Sequence, residues 1–258
     1  MTGPHHQQPS WLRVGHGNDQ RSIAYLNQPG DAPGIFWVTG FKSQMISVKA
    51  SALADWTRRR CLAYTRFDYS GHGQSGGNFE DGTLSQWLEE TVAVFEQVTT
   101  GPQIVVGSSM GGYLALLLAR TLSDRQRARL AGLVLIAPSW NMTELMWSKA
   151  TPAALRAIEN DGVWYRPSQY DDAPYPITRR LLEDGRKHLF KETPWAPGCA
   201  VEIIHGRLDP DVPFERSERL LTWLKGPAVN LTEVVDGEHR LSRDSDLELL
   251  YQRIEALI

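Results

Sequence analysis

Residues 104–112 read Ile104-Val105-Val106-Gly107-Ser108-Ser109-Met110-Gly111-Gly112. The β-branched start is typical of a buried strand, and the apolar run that follows, 113–119, is typical of a helix. Between them lies the pattern Gly-x-Ser-x-Gly, centred on Ser109. Side chains at the two glycines would collide in so sharp a strand-to-helix turn, so the pattern favours Ser109 as a nucleophile. Ser108 lacks the flanking glycines and is interpreted as a neighbour.

Short apolar stretches alternate with longer amphipathic ones on both sides of this turn. We predict strands near 11–15, 22–26, 35–39, 62–68, 103–107, 132–137, 201–205 and 229–235. We predict helices at 45–59, 84–98, 110–122, 214–224 and 244–257, with more helix inside 143–190. The alternation predicts an α/β fold with a mostly parallel eight-stranded sheet and helices on both faces. The short turns between the first two strands predict an antiparallel start.

One interval breaks this rhythm. About 60 residues, rich in Pro and Trp, separate the strand ending at Ala137 from the strand starting near Val201. A structureless loop of that length is improbable in a compact domain. We therefore predict a single domain over residues 1–258 with a helical cap insertion at about 138–200.

A serine nucleophile needs an oriented base, and on sheets of this kind the chain order is serine, acid, histidine. Asp209 and His239 each follow an apolar strand, which places them at the same edge of the sheet as Ser109. Asp211 competes with Asp209 for the role of acid. We favour Asp209, three residues after a glycine, and assign His205 a packed, hydrogen-bonded role. The predicted catalytic residues are therefore Ser109, Asp209 and His239.

The developing oxyanion requires backbone N–H donors. Met110, directly after the nucleophile, is expected to supply one, and Phe41, in the loop after the third strand, the other. The next residue, Lys42, is either a solvated loop lysine or a contact for an anionic group of the substrate.

The cap insertion contains four of the nine tryptophans. Trp140 and Trp147 come directly after the strand that leaves the sheet, seven residues apart. If that segment is helical, both rings lie on one face and form an apolar acyl pocket above Ser109. The alternative is that the tryptophans form the insertion's own small core.

Composition excludes several other classes of protein. The net charge of −3 gives no support for nucleic-acid binding, and the longest apolar stretches are far shorter than a membrane span. Two cysteines without CxxC spacing, and no H-E-x-x-H pattern, lead us to expect no metal and no cofactor. The N-terminus lacks a charged region followed by an apolar core, from which we predict a cytoplasmic location.

A dinucleotide-binding pattern is also present. Residues 71–76, Gly-His-Gly-Gln-Ser-Gly, match G-x-G-x-x-G after a strand. A nucleotide site would require a helix to open immediately, whereas more glycines follow here. We interpret these glycines as a tight loop beside the catalytic site.

Taken together, several motifs resemble those of α/β-hydrolase-fold serine hydrolases. They are Gly40-Phe41-Lys42-Ser43, residues 66–75, the Ser109 turn, the Asp209 motif and Asp236-Gly237-Glu238-His239. The Gly-Phe-Lys-Ser start is similar to that of the palmitoyl-protein thioesterases and acyl-glucuronide esterases known from mitochondria. Ser70 stands where the wider family usually has arginine.

The reaction expected from these residues is hydrolysis of carboxylic esters or thioesters through a Ser109 acyl-enzyme. The expected substrate is a small-molecule ester or acyl thioester, or an acylated protein. A C–C bond hydrolase, an acyltransferase and a non-catalytic ligand-binding protein of the same fold stay open as alternatives.

Overall fold

A computed structural model describes residues 8–168 and 173–258 of the chain. The strands in these residues are β1 (Ser10–Val14), β2 (Arg21–Gln28), β3 (Asp31–Val38), β4 (Leu62–Phe67), β5 (Gln103–Ser108), β6 (Leu130–Ile136), β7 (Val163–Arg166), β8 (Tyr175–Thr178), β9 (Ala200–Gly206) and β10 (Val229–Val234). Eight of the described strands form one sheet in the order β1-β2-β4-β3-β5-β6-β9-β10. The β1–β2 and β2–β4 pairs are antiparallel and the remaining pairs are parallel, as predicted.

The helices of the described residues are α1 (Val48–Arg59), α2 (Leu84–Gln97), α3 (Met110–Thr121), α4 (Asp124–Arg127), α5 (Met142–Ser148), α6 (Pro152–Asn160), α7 (Arg179–Gly185), α8 (Glu215–Trp223) and α9 (Asp244–Glu255). The predicted helix 45–59 begins only at Val48. Ser47, the residue before it, has an extended backbone with a ψ of 163°, and the backbone N–H of Met45 donates to the Asp68 carboxylate (2.6 Å).

Two apolar cores cover the two faces of the sheet, because strand side chains alternate between faces. Phe36 and Val105 pack on one face with α2, α3 and α8. Ile35 and Ile104, their strand neighbours, pack on the other face with α1 and α9. Each fully buried Leu or Ile side chain stabilises the fold by about 1.5–3 kcal/mol. The predicted layered α/β architecture is confirmed.

The segment between β6 and β9, which we call the cap segment (residues 138–200), differs from its prediction. It was expected to be helical, and it holds α5, α6 and α7 but also the antiparallel hairpin of β7 and β8. Gly162 follows α6 closely and has a φ of +78°, which is not a helical conformation. The β-branched and aromatic residues 163–165 that come next favour a strand. Residues 169–172 of the predicted insertion lie outside the described residues. The single-domain assignment of 1–258 stays a prediction.

Candidate active site

Ser109 occupies the turn between β5 and α3 with a φ of +56° and a ψ of −116°. A left-handed residue other than glycine costs about 1–2 kcal/mol, so the surrounding packing must hold it there. A Cβ on Gly107 would lie 2.3 Å from the carbonyl oxygen of Gly111, and one on Gly111 only 1.9 Å from that of Val38. Both positions therefore require glycine, which is the steric reason for the pattern in the sequence.

The three residues predicted as catalytic lie together at the carboxyl ends of β5, β9 and β10. The Nε2 atom of His239 lies 3.0 Å from the Oγ of Ser109, and its Nδ1 lies 2.6 Å from the Oδ2 of Asp209. The carboxylate can only accept, so Nδ1 carries the proton and Nε2 presents its lone pair to the serine hydroxyl. This geometry lets the imidazole remove the proton of Ser109.

Asp209 has a fully buried side chain held from both sides. Its Oδ1 accepts backbone N–H groups from Asp211 (2.9 Å) and Val212 (2.8 Å), and its Oδ2 also accepts from His205 Nε2 (3.2 Å). Burial alone would raise the pKa of Asp209, but the hydrogen bonds from His205, His239 and Val212 outweigh it and hold the pKa well below its usual range. The carboxylate is therefore charged at neutral pH and can stabilise an imidazolium.

Sequence reasoning gave His205 a packed role, and the structure places its ring in the core. Its Nε2 donates both to Asp209 and to the carbonyl oxygen of Val212 (3.0 Å), and its Nδ1 lies 2.7 Å from the Ser217 hydroxyl. His205 thereby supports the acid and lies outside the reach of Ser109. Asp211 lines the neighbouring cavity, while the contact with His239 Nδ1 is made by Asp209.

Phe41 and Met110 belong to the two segments that adjoin the nucleophile. Met110 is the first residue of α3, where the N–H has no partner within its own helix. The loop that carries Phe41 lies against the turn: a Cβ on Gly40 would lie 3.2 Å from the Ser108 carbonyl oxygen and 3.6 Å from the Ser109 Cβ. An oxyanion hole requires two backbone N–H donors beside the nucleophile, and the segments that carry Phe41 and Met110 both adjoin Ser109.

A cavity of about 430 Å³ opens beside Ser109 and His239. Its apolar wall on the cap side comes from α5, through Met142, Leu145 and Met146. These residues and Lys149 follow the spacing i, i+3, i+4, i+7 of one helical face. Sequence reasoning missed them, although that spacing was visible, because it weighed only the aromatic residues of the segment.

The two tryptophans predicted to form the acyl pocket lie elsewhere. Trp140 is 1% exposed, donates from Nε1 to the Arg216 carbonyl oxygen (2.9 Å) and packs on Trp223. Trp147 is 41% exposed, with the Arg186 guanidinium 5.7 Å from its ring centre. Since α5 begins only at Met142, Trp140 precedes the helix, and the seven-residue spacing does not bring the rings to one face. The pocket prediction differs from the structure for this reason.

Most of the charged residues that line the cavity are cationic. Within the described part of the chain the lining includes one carboxylate, from Asp211, and five cationic side chains: Lys42, Lys49, Lys149, Arg166 and Arg240. The Lys42 ammonium lies over the rings of Phe79 (5.6 Å) and Tyr175 (5.8 Å). The chain as a whole has a net charge of −3, so this positive lining is a local property of the site.

Two of these lysines tether the loops that carry the acid and the histidine. Lys149 Nζ donates to the Asp211 carbonyl oxygen (2.8 Å), and Lys49 Nζ donates to that of Arg240. Burial and the nearby charge of Arg240 lower the pKa of Lys49 to about 8, against the opposing effect of Asp246. Part of the positive charge at the site is thus sensitive to pH near neutrality.

Other features of the described residues do not define a second site. A wider groove of about 1070 Å³ is lined by charged side chains of both signs, and none of the three predicted catalytic residues lines it. In the described part of the chain, Asp209, Asp211 and His239 form a group whose possible metal-ligand atoms lie within 4.8 Å of one another. Two of its three members, Asp209 and His239, are already joined by the hydrogen bond beside the serine. No described helix is both long and apolar enough to cross a membrane.

Serine, histidine and aspartate aligned at the strand ends of an α/β sheet form the arrangement found in serine hydrolases. Residues 31–252 match the model of the Alpha/beta hydrolase family, so the chain belongs to that family. A mouse protein, palmitoyl-protein thioesterase ABHD10, mitochondrial, is 31% identical over 92% of this chain and 79% of its own length. The resemblance described from the sequence motifs is confirmed.

Solved structures agree with this assignment. A putative hydrolase from Agrobacterium vitis S4 is similar with a TM-score of 0.93 and 38% identity, over 97% of this chain and 98% of that one. Alpha/beta hydrolase domain-containing protein 10 from mouse is similar with a TM-score of 0.86 and 29% identity, over the same shares, 97% and 98%.

The predicted cytoplasmic location is wrong. The curated mouse and bovine relatives are named as mitochondrial proteins, which points to mitochondria rather than the cytoplasm. The prediction rested on the composition of the first residues, and residues 1–7 lie outside those that the structure describes.

Proposed function

We propose that the protein is a serine hydrolase that cleaves carboxylic esters or acyl thioesters through a Ser109 acyl-enzyme, with Asp209 and His239 completing the triad. The observation that carries the proposal is the pair of contacts made by His239, 3.0 Å to the Ser109 hydroxyl and 2.6 Å to the Asp209 carboxylate. The names of the relatives, among them palmitoyl-protein thioesterase, support this class of reaction.

The first half-reaction follows from the hydrogen bonds. His239 Nε2 removes the Ser109 proton as Oγ attacks the carbonyl carbon, and Asp209 stabilises the imidazolium. The oxygen of the tetrahedral intermediate accepts the N–H groups of Phe41 and Met110, aided by the positive end of α3. Collapse breaks the bond to the alcohol or thiol, which takes the proton from His239.

The second half-reaction reverses these roles. His239 removes a proton from water as the water oxygen attacks the acyl carbon bound to Ser109. The same two N–H groups hold the second oxyanion. Its collapse releases the carboxylic acid and returns the proton to Ser109 Oγ, so the chemistry proposed here uses no cofactor.

The shape of the cavity supports an apolar acyl group. Met142, Leu145 and Met146 supply flexible thioether and aliphatic surface to the cavity, and methionine adapts to chains of different shape. We propose these residues as the acyl wall in place of Trp140 and Trp147. The cap segment, which supplies them, is proposed as the insertion that covers the sheet edge.

The cationic wall supports a substrate that also carries an anionic group. Lys42 lies next to Phe41 and lines the cavity, and its ammonium lies over the rings of Phe79 and Tyr175, of which Tyr175 also lines the cavity. We propose Lys42 as a contact for such a group. The substrate itself is a small ester or thioester or an acylated protein.

The substrate class is tested by profiling the purified protein against p-nitrophenyl esters, acyl thioesters and acyl glucuronides of matched chain length. We expect kcat/KM to rise with acyl length over short to medium chains. Within matched pairs, we expect an ester that carries a carboxylate to be cleaved with a higher kcat/KM than the same ester with that carboxylate converted to a neutral carboxamide. Lys42→Met should reduce this difference in kcat/KM. Absence of any ester or thioester hydrolysis across the panel would contradict the proposal.

Filling the acyl wall should change chain-length preference. Met146→Trp places an indole ring in a cavity of about 430 Å³. We expect the ratio of kcat/KM for octanoyl over acetyl esters to fall about tenfold or more, because each excluded methylene costs about 1 kcal/mol or more. Trp147→Ala, whose ring is exposed outside this wall, is the control and should leave the ratio unchanged. The opposite pattern would assign the pocket to the tryptophan.

Metal chelation should leave hydrolysis unchanged. Treatment with EDTA is expected to keep kcat/KM for a p-nitrophenyl ester at its initial value, because the proposed chemistry runs through Ser109, His239 and Asp209 without a metal ion. Added Zn²⁺ should inhibit, since binding at the Asp209, Asp211 and His239 cluster would occupy the base. Activity lost with EDTA and restored by one divalent ion would contradict this.

A further inference from the structure

The loop after β4, residues 68–75, holds the loop that carries Phe41 at three points. The Tyr69 hydroxyl donates to the Thr39 carbonyl oxygen (2.9 Å), and the Asp68 carboxylate accepts the N–H of Met45 (2.6 Å). Between these two ends, the backbone N–H of Lys42 donates to Nε2 of His72 (3.2 Å). The middle contact falls next to the proposed oxyanion donor.

The middle contact acts on a tight turn. The Ser43 N–H donates to the Gly40 carbonyl oxygen (3.1 Å), which closes a four-residue turn over residues 40–43. Lys42, the third residue, has a φ of +56°, as in the type II turn, in which glycine usually stands at that position. Lysine there is strained, because a residue with a side chain disfavours a positive φ. A specific partner is therefore needed to hold the turn.

His72 accepts a hydrogen bond from the peptide group whose orientation distinguishes type I from type II turns. Types I and II differ by a flip of the central peptide unit, here the one joining Phe41 to Lys42. A flip would turn the Lys42 N–H away from His72. The acceptor at Nε2 thus favours the turn seen here. Because Phe41 is the second residue of that turn, holding the turn also limits movement of the Phe41 backbone.

The ring of His72 is arranged as an acceptor. It is 4% exposed, packs among Tyr69, Phe79 and Trp87, and its Nδ1 donates to the Ser70 carbonyl oxygen (3.1 Å). With the proton on Nδ1, Nε2 is left with its lone pair. Burial lowers the pKa of His72 to about 4, with the Lys42 charge acting in the same direction and the Ser70 hydrogen bond against it. The ring is neutral at neutral pH.

Side-chain packing also connects Phe41 with His72. Phe41 packs edge-on against Phe79 (4.9 Å between ring centres) and Trp87 (6.0 Å), the two rings that also flank His72. The imidazole thus shares both a backbone contact and an aromatic cluster with the oxyanion loop. The sequence feature that marks His72 is the Gly-His-Gly stretch. This glycine-rich loop does not fit a nucleotide-binding site.

We infer that His72 is a positioning residue of the oxyanion hole, whose Nε2 holds the Lys42 N–H and so fixes the turn that presents the Phe41 N–H to the substrate. The inference rests on the proposed function. His72 touches neither substrate nor Ser109, so it acts on the transition state through the loop. Its loss should therefore lower kcat while leaving KM close to its initial value.

Three variants test this. His72→Gln can place an amide oxygen near the position of Nε2, His72→Asn reaches only the position of Nδ1, and His72→Leu removes both polar contacts. We expect kcat for a p-nitrophenyl ester to fall about 30- to 100-fold in the Leu and Asn variants, with KM within about threefold. The Gln variant should stay within about fivefold of the unmodified protein. His188→Leu, a partly buried histidine outside this loop, is the control for loss of a packed ring.

A second readout separates positioning from stability. A trifluoromethyl ketone adds to Ser109 as a hemiketal whose oxygen occupies the oxyanion hole, so its affinity should fall by the same factor as kcat/KM in the Asn and Leu variants. Melting temperatures, measured in parallel, identify any variant that does not fold, and the Gln–Asn comparison then decides. Equal losses in Gln and Asn, or unchanged kcat in folded Leu and Asn, would overturn the inference while Ser109 labelling of the unmodified protein stands.

Discussion

Ser109→Ala should lower kcat for a p-nitrophenyl ester by about 10⁴-fold or more, because no other described hydroxyl lies within hydrogen-bond distance of His239 Nε2. Residual turnover would come from binding and the two N–H donors acting on water. The free energy of unfolding should change by less than about 1 kcal/mol, since the substitution removes only one hydroxyl at the cavity.

The neighbouring serine provides the matched control. Ser108 ends β5 one residue before the turn, and the described hydrogen bonds of the His239 ring go to Ser109 and Asp209 instead. Ser108→Ala should keep kcat within about threefold, and circular dichroism should show both variants folded. A Ser109→Ala protein with full activity, or a Ser108→Ala protein without it, would contradict the assignment of the nucleophile.

Asp209→Asn should lower kcat by about 10³- to 10⁴-fold. The asparagine oxygen can still accept the N–H groups of Asp211 and Val212, so its amide nitrogen faces His239 Nδ1. A donor there forces the imidazole proton onto Nε2, which faces Ser109 and can then no longer accept. The substitution also leaves the imidazolium of the transition state without a charged partner.

Asp211→Asn is the comparison that makes this result specific. Asp211 lines the cavity two residues away, and the contact with His239 belongs to Asp209. We expect kcat within about fivefold of the unmodified protein. The two variants should be measured with the same ester at saturating concentration. Equal losses would show that the acid has been assigned to the wrong residue.

Much of this site could be predicted from the sequence because strict steric rules leave a visible pattern. Gly107 and Gly111 are required by backbone atoms less than 2.5 Å from where a side chain would begin. The apolar strands that place Asp209 and His239 at one sheet edge are equally visible, since both faces of a parallel sheet are buried.

The cap segment was harder to predict, because its packing partners are distant in sequence. Trp140 is held by Arg216 and Trp223, about 80 residues away, and no local spacing reveals that contact. The short β7–β8 hairpin depends equally on pairing across a gap of several residues. Size and aromatic character favoured the tryptophans as pocket residues, while the α5 stripe that faces the cavity is made of Met and Leu.

The role of His72 was overlooked for a related reason. Its main contact is to a backbone N–H thirty residues earlier, and a backbone partner leaves no mark in the amino-acid sequence. The glycines around it signalled a tight loop, and only the folded chain shows which neighbouring loop it holds.

The central claim is that Ser109 forms the acyl-enzyme, and covalent labelling tests it most directly. The protein is incubated with a fluorophosphonate, and the site of the adduct is mapped by mass spectrometry of its peptides. The proposed mechanism predicts one adduct per chain, on Ser109, formed in step with loss of esterase activity and absent from Ser109→Ala. An unlabelled protein, or an adduct on another residue with Ser109 unmodified, would contradict it.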